Sequence, residues 1–196
     1  MTINTKTLAA IDIGTNAIRL FISNVEEYPT ETLFKKIAFL RVPIRLGEDV
    51  FTTGEIGQQK RKRLCETMQG FSYIMSAFNV ESYKAYATCA MREARNGKSV
   101  AEQIQKECDL NIEIISGTKE AETIFAGGMN EVVDDDKTYL YVDVGGGSTE
   151  VIVYSKSVKV EACSFPLGTV RMLNDAVDKE EMKHFKKWLK NITEKY

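Results

Sequence analysis

"VDVGGGSTEVIV" (142–153) sets three consecutive glycines between two runs of β-branched residues, with Asp143 before them and Ser148, Thr149 and Glu150 after. Two strands joined in this way give up packing side chains at the join. In exchange, the glycines offer successive backbone N–H groups with no Cβ in the way, a concavity suited to phosphate oxygens. A hydroxyl such as Ser148 adds a donor. Asp143 supplies a hard oxygen ligand of the kind Mg2+ accepts alongside retained waters. A single glycine run reads equally well as a loose hairpin.

A second copy of the pattern tips the balance. In "AIDIGTNAIRLFI" (10–22) and "YVDVGGGSTEVIVY" (141–154), a strand leads to Asp, one apolar residue, Gly, a short polar turn and another strand. Asp12 corresponds to Asp143 and Gly14 to Gly145. The surrounding order repeats too. Strand-like runs at 8–13, 17–25 and 32–44 are followed by a polar, Gly-containing stretch and an amphipathic helix over about 55–78. Then come a strand at 83–88, a helical region at 91–108 broken near "NGKS", a strand at 112–115 and a helix at 119–129. After an acidic loop (130–138), strands at 139–144, 150–155 and 158–165 restart the pattern. The last helix starts near Lys179, with Asp178 and Glu181 resembling a capping box. Its residues Met182, Phe185, Leu189 and Ile192 form a stripe that ought to cover a sheet. The expected fold is α/β, built from a duplicated β-β-β-α-β-α-β-α domain whose second copy stops after β-β-β-α. The first domain is placed at 1–129 and the second at 130–196, and the chain reads as a fragment.

Composition narrows the chemistry. With 43% hydrophobic residues, 28% charged residues and a formal net charge of −2, the chain is an ordinary globular one with no bulk attraction to nucleic acid or acidic membranes. Cys65, Cys89, Cys108 and Cys163 form no Cys-x-x-Cys pair and read as reduced thiols. No signal peptide or membrane span is legible, so the expected location is cytoplasmic. The only histidine, His184, lies in the charged terminal helix and reads as a surface residue. Ser-His chemistry and multi-histidine zinc sites are thereby disfavoured. The P-loop pattern is absent, and "GGGSTE" does not form a nucleophile elbow. Carboxylates, arginines, backbone amides and a hard metal ion are left to do the work.

The segments "AAIDIGTNAIRLFI", "RLGEDVFTTGEI" (45–56), "ATCAMREARNG" (87–97), "IEIISGTKEAETIFAGG" (112–128), "VDVGGGSTEVIV" and "PLGTVRM" (166–172) resemble, in order, the motifs of the exopolyphosphatase/guanosine pentaphosphate phosphohydrolase family. The resemblance implies the acetate kinase, sugar kinase, actin and heat-shock ATPase fold: two ribonuclease H-like domains with the active site in the cleft between them. It makes Glu120 the catalytic carboxylate, with Glu122 its nearest rival. Lys119 stands where the family often carries a further glutamate. Asp143 and Glu150 match acidic positions associated with Mg2+ and the reacting phosphate. Gly145, Gly146, Gly147 and Ser148 match a phosphate-binding turn, Thr15 and Asn16 the opposing one, and Arg92 an arginine facing the phosphates. Family members continue well past the point matching Tyr196.

Each residue also has a plainer reading. Glu120 can be a first-turn glutamate stabilised by the helix dipole, Arg92 a surface ion-pair partner, and Glu150 an outward-facing strand residue. The run "KRKR" (60–63) reads more readily as a solvated helix face than as a polyphosphate track. The expected reaction is metal-dependent release of terminal phosphate from inorganic polyphosphate, with Glu120 orienting water; positioning and charge stabilisation suffice for phosphoryl transfer. The alternatives are attack on guanosine pentaphosphate, an ATP-using kinase, or a non-catalytic sensor of polyphosphate or a guanine alarmone. No membrane or specific nucleic-acid partner is expected, and a homodimer is compatible with the reading.

Overall fold

A computed structural model describes residues 4–126, 136–156 and 158–196. The chain divides into two compact units, Met1–Ile114 and Ile115–Tyr196.

The first unit holds β1 (Asn4–Ile13), β2 (Ile18–Glu27), β3 (Thr32–Val42), α1 (Leu46–Thr53), α2 (Gln58–Ala77), β4 (Ser82–Ala87), α3 (Cys89–Glu93), α4 (Gly97–Cys108) and β5 (Glu113–Ile114). Its sheet runs β3-β2-β1-β4-β5. β1 to β3 form an antiparallel meander, whereas β4 lies parallel to β1 and β5 parallel to β4. Alternation decides which face is buried. Ile11 and Ile13 of β1, Ile18, Leu20 and Ile22 of β2, and Ala85 and Ala87 of β4 share one core with Leu64, Met68, Phe71 and Met75 of α2 and Val100 and Ile104 of α4. The helical residues recur at the three- and four-residue steps of a single stripe, and each large side chain buried there contributes about 1.5–3 kcal/mol.

Two details differ from the sequence expectation. The polar stretch before the long helix contains α1, whose threonines and glycine have poor helical propensity. Tertiary hydrogen bonds fix it instead: the amides of Arg45 and Gly47 donate to the carbonyls of Asn16 and Thr15 at 2.9 and 3.0 Å. Ile56, expected within the long helix, is buried just ahead of it, its backbone paired in both directions with the Asn96 side chain at 2.9 Å. The break in the 91–108 region is present as separate helices α3 and α4. A Cβ at Gly97 would lie 2.0 Å from the Met91 carbonyl oxygen, so the close approach of the two helices requires glycine there.

Arg45, the residue preceding α1, is left-handed at φ 58 and ψ 54, a conformation that costs a residue with a Cβ about 1 kcal/mol or more. Arg45→Gly is expected to raise unfolding stability by about 1 kcal/mol, less what glycine gives back to the unfolded chain. Denaturant unfolding checks this, and a less stable variant would show that the side chain contributes more than its backbone conformation costs.

The second unit holds α5 (Gly117–Ala126), β6 (Thr138–Val144), β7 (Thr149–Ser155), β8 (Val158–Phe165), α6 (Thr169–Leu173) and α7 (Lys179–Lys195). β6-β7-β8 is an antiparallel sheet. β7 is central and buried on both faces. On one face, Ile152 and Tyr154 pack with Ala121 of α5, with Tyr139 and Tyr141 alongside. On the other, Val151, Phe165 and Leu167 pack with Met182, Phe185 and Trp188 of α7. Met182 and Phe185 of the expected stripe thus cover the sheet, joined by Trp188, and Ile192 is buried. Asp178 caps that helix by accepting the Glu180 amide at 2.9 Å, one position earlier than in a full capping box. His184 is largely exposed, sits 3.7 Å from a Glu181 oxygen and rests edge-on against Phe165.

The units divide between Ile114 and Ile115, earlier than the boundary drawn after 129, because α5 packs on β7 and β8. The boundary at 129/130, the last residues of the helix expected to reach Met129, and most of the acidic loop lie outside the described residues. No described helix is long and apolar enough to cross a membrane.

Candidate active site

The two hairpins that echo each other in sequence also share a hydrogen-bonded frame. In the first, the Gly14 amide donates to the Ala17 carbonyl at 3.2 Å; in the second, Gly145 donates to Ser148 at 2.9 Å. A Cβ on either glycine would lie 3.1 Å from that same carbonyl oxygen. The residue before each pairing strand is a buried small one, Ala17 or Ser148, while Asp12 faces Arg19 across the first hairpin and Asp143 faces Glu150 across the second.

In the first unit, Thr15 and Asn16 form the turn at the end of β1. Thr15 is buried, and both carbonyls are held by the start of α1. The Thr88 amide donates to the Ile13 carbonyl at 3.2 Å, so α3 and its half-buried Arg92 begin at the same end of the sheet. Asp12 is already neutralised by Arg19, 2.7 Å away.

In the second unit, Asp143, Glu150 and Ser164 form a row across β6, β7 and β8. Glu150 is only 2% exposed, which excludes its reading as an outward-facing strand residue. The Ser164 hydroxyl donates to it at 2.8 Å. α5 lies over this row: a Cβ at Gly117 would come within 2.7 Å of Ser164 Cβ and Oγ, and Ala121 is buried on Ile152 and Tyr154. Glu120 is therefore carried in the first turn of a helix seated on the acidic face. It is half-buried, and its Oε2 is out of contact with solvent. Glu122 points elsewhere, exposed and 3.6 Å from Lys159.

The glycine turn is held from one side. The Thr169 amide donates to the Gly145 carbonyl at 3.0 Å, and those of Val170 and Arg171 to the Gly146 carbonyl at 2.8 and 3.1 Å. Arg171 Nε donates to the Gly147 carbonyl at 2.9 Å. Because a trans peptide points its N–H opposite its C=O, the amides of Gly146, Gly147 and Ser148 are turned away from α6. Among the described residues none accepts from these three amides. A row of donors of this kind suits an anion.

Asp143 and Glu150 fit a hard divalent cation. Two like charges opposite each other in a sheet are destabilising, and one of these is buried. Their field is felt by Tyr141, whose phenol is pushed above its ordinary pKa by burial first and then by Asp143 and Glu150. Among the described residues no group of three or more potential metal ligands occurs. That donor set suits Mg2+, which commonly takes one or two carboxylates and completes its shell with water and phosphate.

The structure thus distributes the expected site residues over both units: Thr15, Asn16 and Arg92 in the first, and Glu120, Asp143, Gly145, Gly146, Gly147, Ser148 and Glu150 in the second. The basic run 60–63 is occupied locally. Lys60 binds Glu48 and Asp49 at 3.0 and 2.8 Å, Arg61 the Gln103 side chain at 2.8 Å, and Arg63 the Pro43 carbonyl at 3.3 Å. Sequence reasoning missed Ser164 and gave no role to Gly168 and Arg171, although both lie in the motif "PLGTVRM". A signal was available in "VPIRLG" (42–47) and "FPLGTV" (165–170), where a strand ends just before proline and a short helix starts three residues after it in both copies.

A model of the Ppx/GppA phosphatase family matches residues 21–196. The bifunctional 3-dehydroquinate synthase/phosphatase of Fusobacterium nucleatum is 32% identical over 168 residues, covering 84% of this chain and 25% of that protein. Exopolyphosphatase 2 of Mycobacterium tuberculosis is 28% identical over 170 residues, covering 84% of this chain and 53% of that one. Among solved structures, an exopolyphosphatase from Cytophaga hutchinsonii superposes with a TM-score of 0.78 at 29% identity, covering 87% of this chain and 53% of that one. The Aquifex aeolicus Ppx/GppA family member gives 0.74 at 25% identity, covering 96% and 61%. The chain thus spans between a quarter and about half the length of these two curated relatives.

Proposed function

The chain belongs to the Ppx/GppA phosphatase family, and on that premise we propose that it serves metal-dependent hydrolysis of the terminal phosphoanhydride of inorganic polyphosphate. The observation that carries this reading is the second hairpin: three consecutive amides aimed at one side, next to a cross-strand carboxylate pair. An anionic chain needs donors, and a carboxylate pair beside it needs a cation. In this reading Gly145, Gly146, Gly147 and Ser148 hold phosphate oxygens, as do Thr15, Asn16 and Arg92 on the first unit. Asp143 and Glu150 would hold Mg2+, which when bound offsets the charge of the reacting phosphate. Glu120 orients a water for in-line attack and accepts its proton.

One assay tests the reaction. Phosphate release is measured in Mg2+ with polyphosphate, guanosine pentaphosphate and ATP side by side, and polyphosphate is expected to be cleaved fastest. Faster release from guanosine pentaphosphate would move the substrate to the alarmone. Tight binding with no release would make the chain a sensor.

The cation has its own readout at Tyr141. A phenol with a raised pKa contributes stability below its unfolded value, near 10, and loses it as pH rises through the folded value. With Mg2+ on the carboxylate pair, the Tyr141 phenol is expected to ionise at lower pH than in chelator. The difference in alkaline absorbance titration between the wild type and Tyr141→Phe isolates it. An unchanged titration would remove Asp143 and Glu150 as the metal site.

A further inference from the structure

The two hairpins are strapped by equivalent segments, but not by the same chemistry. Val42 pairs with Ile18 and Phe165 with Thr149, which aligns Pro43 with Pro166, the cap Arg45 with Gly168, and Gly47 with Val170. The amides of Gly47 and Val170 make the same bond, to Thr15 and Gly146 respectively. By this alignment Asn16 corresponds to Gly147, and Glu48 to Arg171. The Asn16 carbonyl is held by the neutral Arg45 amide at 2.9 Å. The Gly147 carbonyl is held by a guanidinium that is only 9% exposed. Glu48, by contrast, lies on the surface and pairs with Lys60. A neutral amide suffices to tie down the turn in the first copy. In the second, a buried permanent charge takes part in the same task, at a desolvation cost.

We propose that Arg171 is a positioning residue for anion binding: through the Gly147 carbonyl it orients and polarises the Ser148 amide, making that N–H the strongest donor of the turn toward a phosphate oxygen. The C=O of Gly147 and the N–H of Ser148 belong to one peptide unit, so a charge-assisted bond at one end strengthens donation at the other. The peptide carbonyls paired with the Gly146 and Gly147 amides receive neutral donors, the Thr169 amide and hydroxyl on one and the Val170 and Arg171 amides on the other, and lack this assistance. The inference rests on the phosphate reading of the turn and specifies which amide does most of the work.

The test uses inorganic tripolyphosphate with the wild type, Arg171→Gln and Arg171→Lys, following affinity by calorimetry and the turn amides by NMR. In the wild type, Ser148 is expected to show the largest tripolyphosphate-induced amide shift of the three. Per folded molecule, Arg171→Gln is expected to lose about fivefold in affinity, the difference between a charged and a neutral hydrogen bond, and to shrink the Ser148 response. Arg171→Lys, which keeps the charge, is expected to recover part of both. A lowered melting temperature with unchanged affinity and an unchanged Ser148 shift would reduce Arg171 to a structural role and overturn the proposal. So would a larger wild-type shift at Gly146 or Gly147 than at Ser148, a result that needs no variant to fold. No response at any of the three amides would overturn the phosphate reading itself, and the inference with it.

Discussion

Glu120→Gln is expected to lower phosphate release by about 10²- to 10⁴-fold, the usual contribution of a positioned proton acceptor. The amide keeps the shape and hydrogen-bonding reach of the carboxylate but does not accept the proton of an attacking water at neutral pH. Ala121, the next residue, anchors α5 on Ile152 and Tyr154. The helix should therefore stay seated, with its thermal midpoint and tripolyphosphate affinity preserved. Loss of turnover with binding intact would mark a chemical role. Wild-type turnover would remove Glu120 from the mechanism, whereas a parallel loss at Glu122→Gln would signal a shared requirement for charge on α5. Glu122 faces Lys159 in the open, and its substitution is expected to change turnover by less than about threefold, as exposed ion pairs contribute little.

Gly168→Ala should act on the frame of the site. A Cβ there would lie 2.4 Å from the carbonyl carbon and oxygen of Gly146 and from the amide nitrogen of Gly147. All three are backbone atoms, with no flexible side chain to swing aside. Either the turn or α6 must move, at a cost of about 3 kcal/mol or more. The bonds from Thr169, Val170 and Arg171 would be broken together, so tripolyphosphate binding is expected to fall below detection. Unfolding by denaturant and calorimetry on the folded variant measure the two effects separately. A variant as stable and as tightly binding as the wild type would mean that the contact between Gly168 and the turn is slack.

Much of this was legible in the sequence because it depends on local pattern. The alternation of Ile11, Ile13, Ile18 and Leu20, the helical stripe through Leu64, Met68, Phe71 and Met75, and the Asp-x-Gly echo each follow from period and turn chemistry. Contacts distant in sequence were not legible. α1 forms because Thr15 and Asn16 carbonyls meet its first turn. The unit boundary falls before α5 because Ala121 and Gly117 find partners on β7 and β8, which the chain builds only later. In the site, Asp143, Glu150 and the glycines stand in one short motif. Ser164 and Arg171 do not, since their relevance arises from strand register and from a carbonyl more than twenty residues away.

The shared hairpin frame also bears on how such a site arises. The Gly14–Ala17 and Gly145–Ser148 bonds match, yet the residue opposite the aspartate is arginine in one copy and glutamate in the other. Changing that one position replaces a self-neutralised turn with a pair of facing carboxylates, on a matching backbone frame. After gene duplication, substitution at a single codon could therefore separate the chemistry of the two descendants while both inherited the same scaffold. Reversing it, with Glu150 made basic, would return the second hairpin to the electrostatic state of its sister.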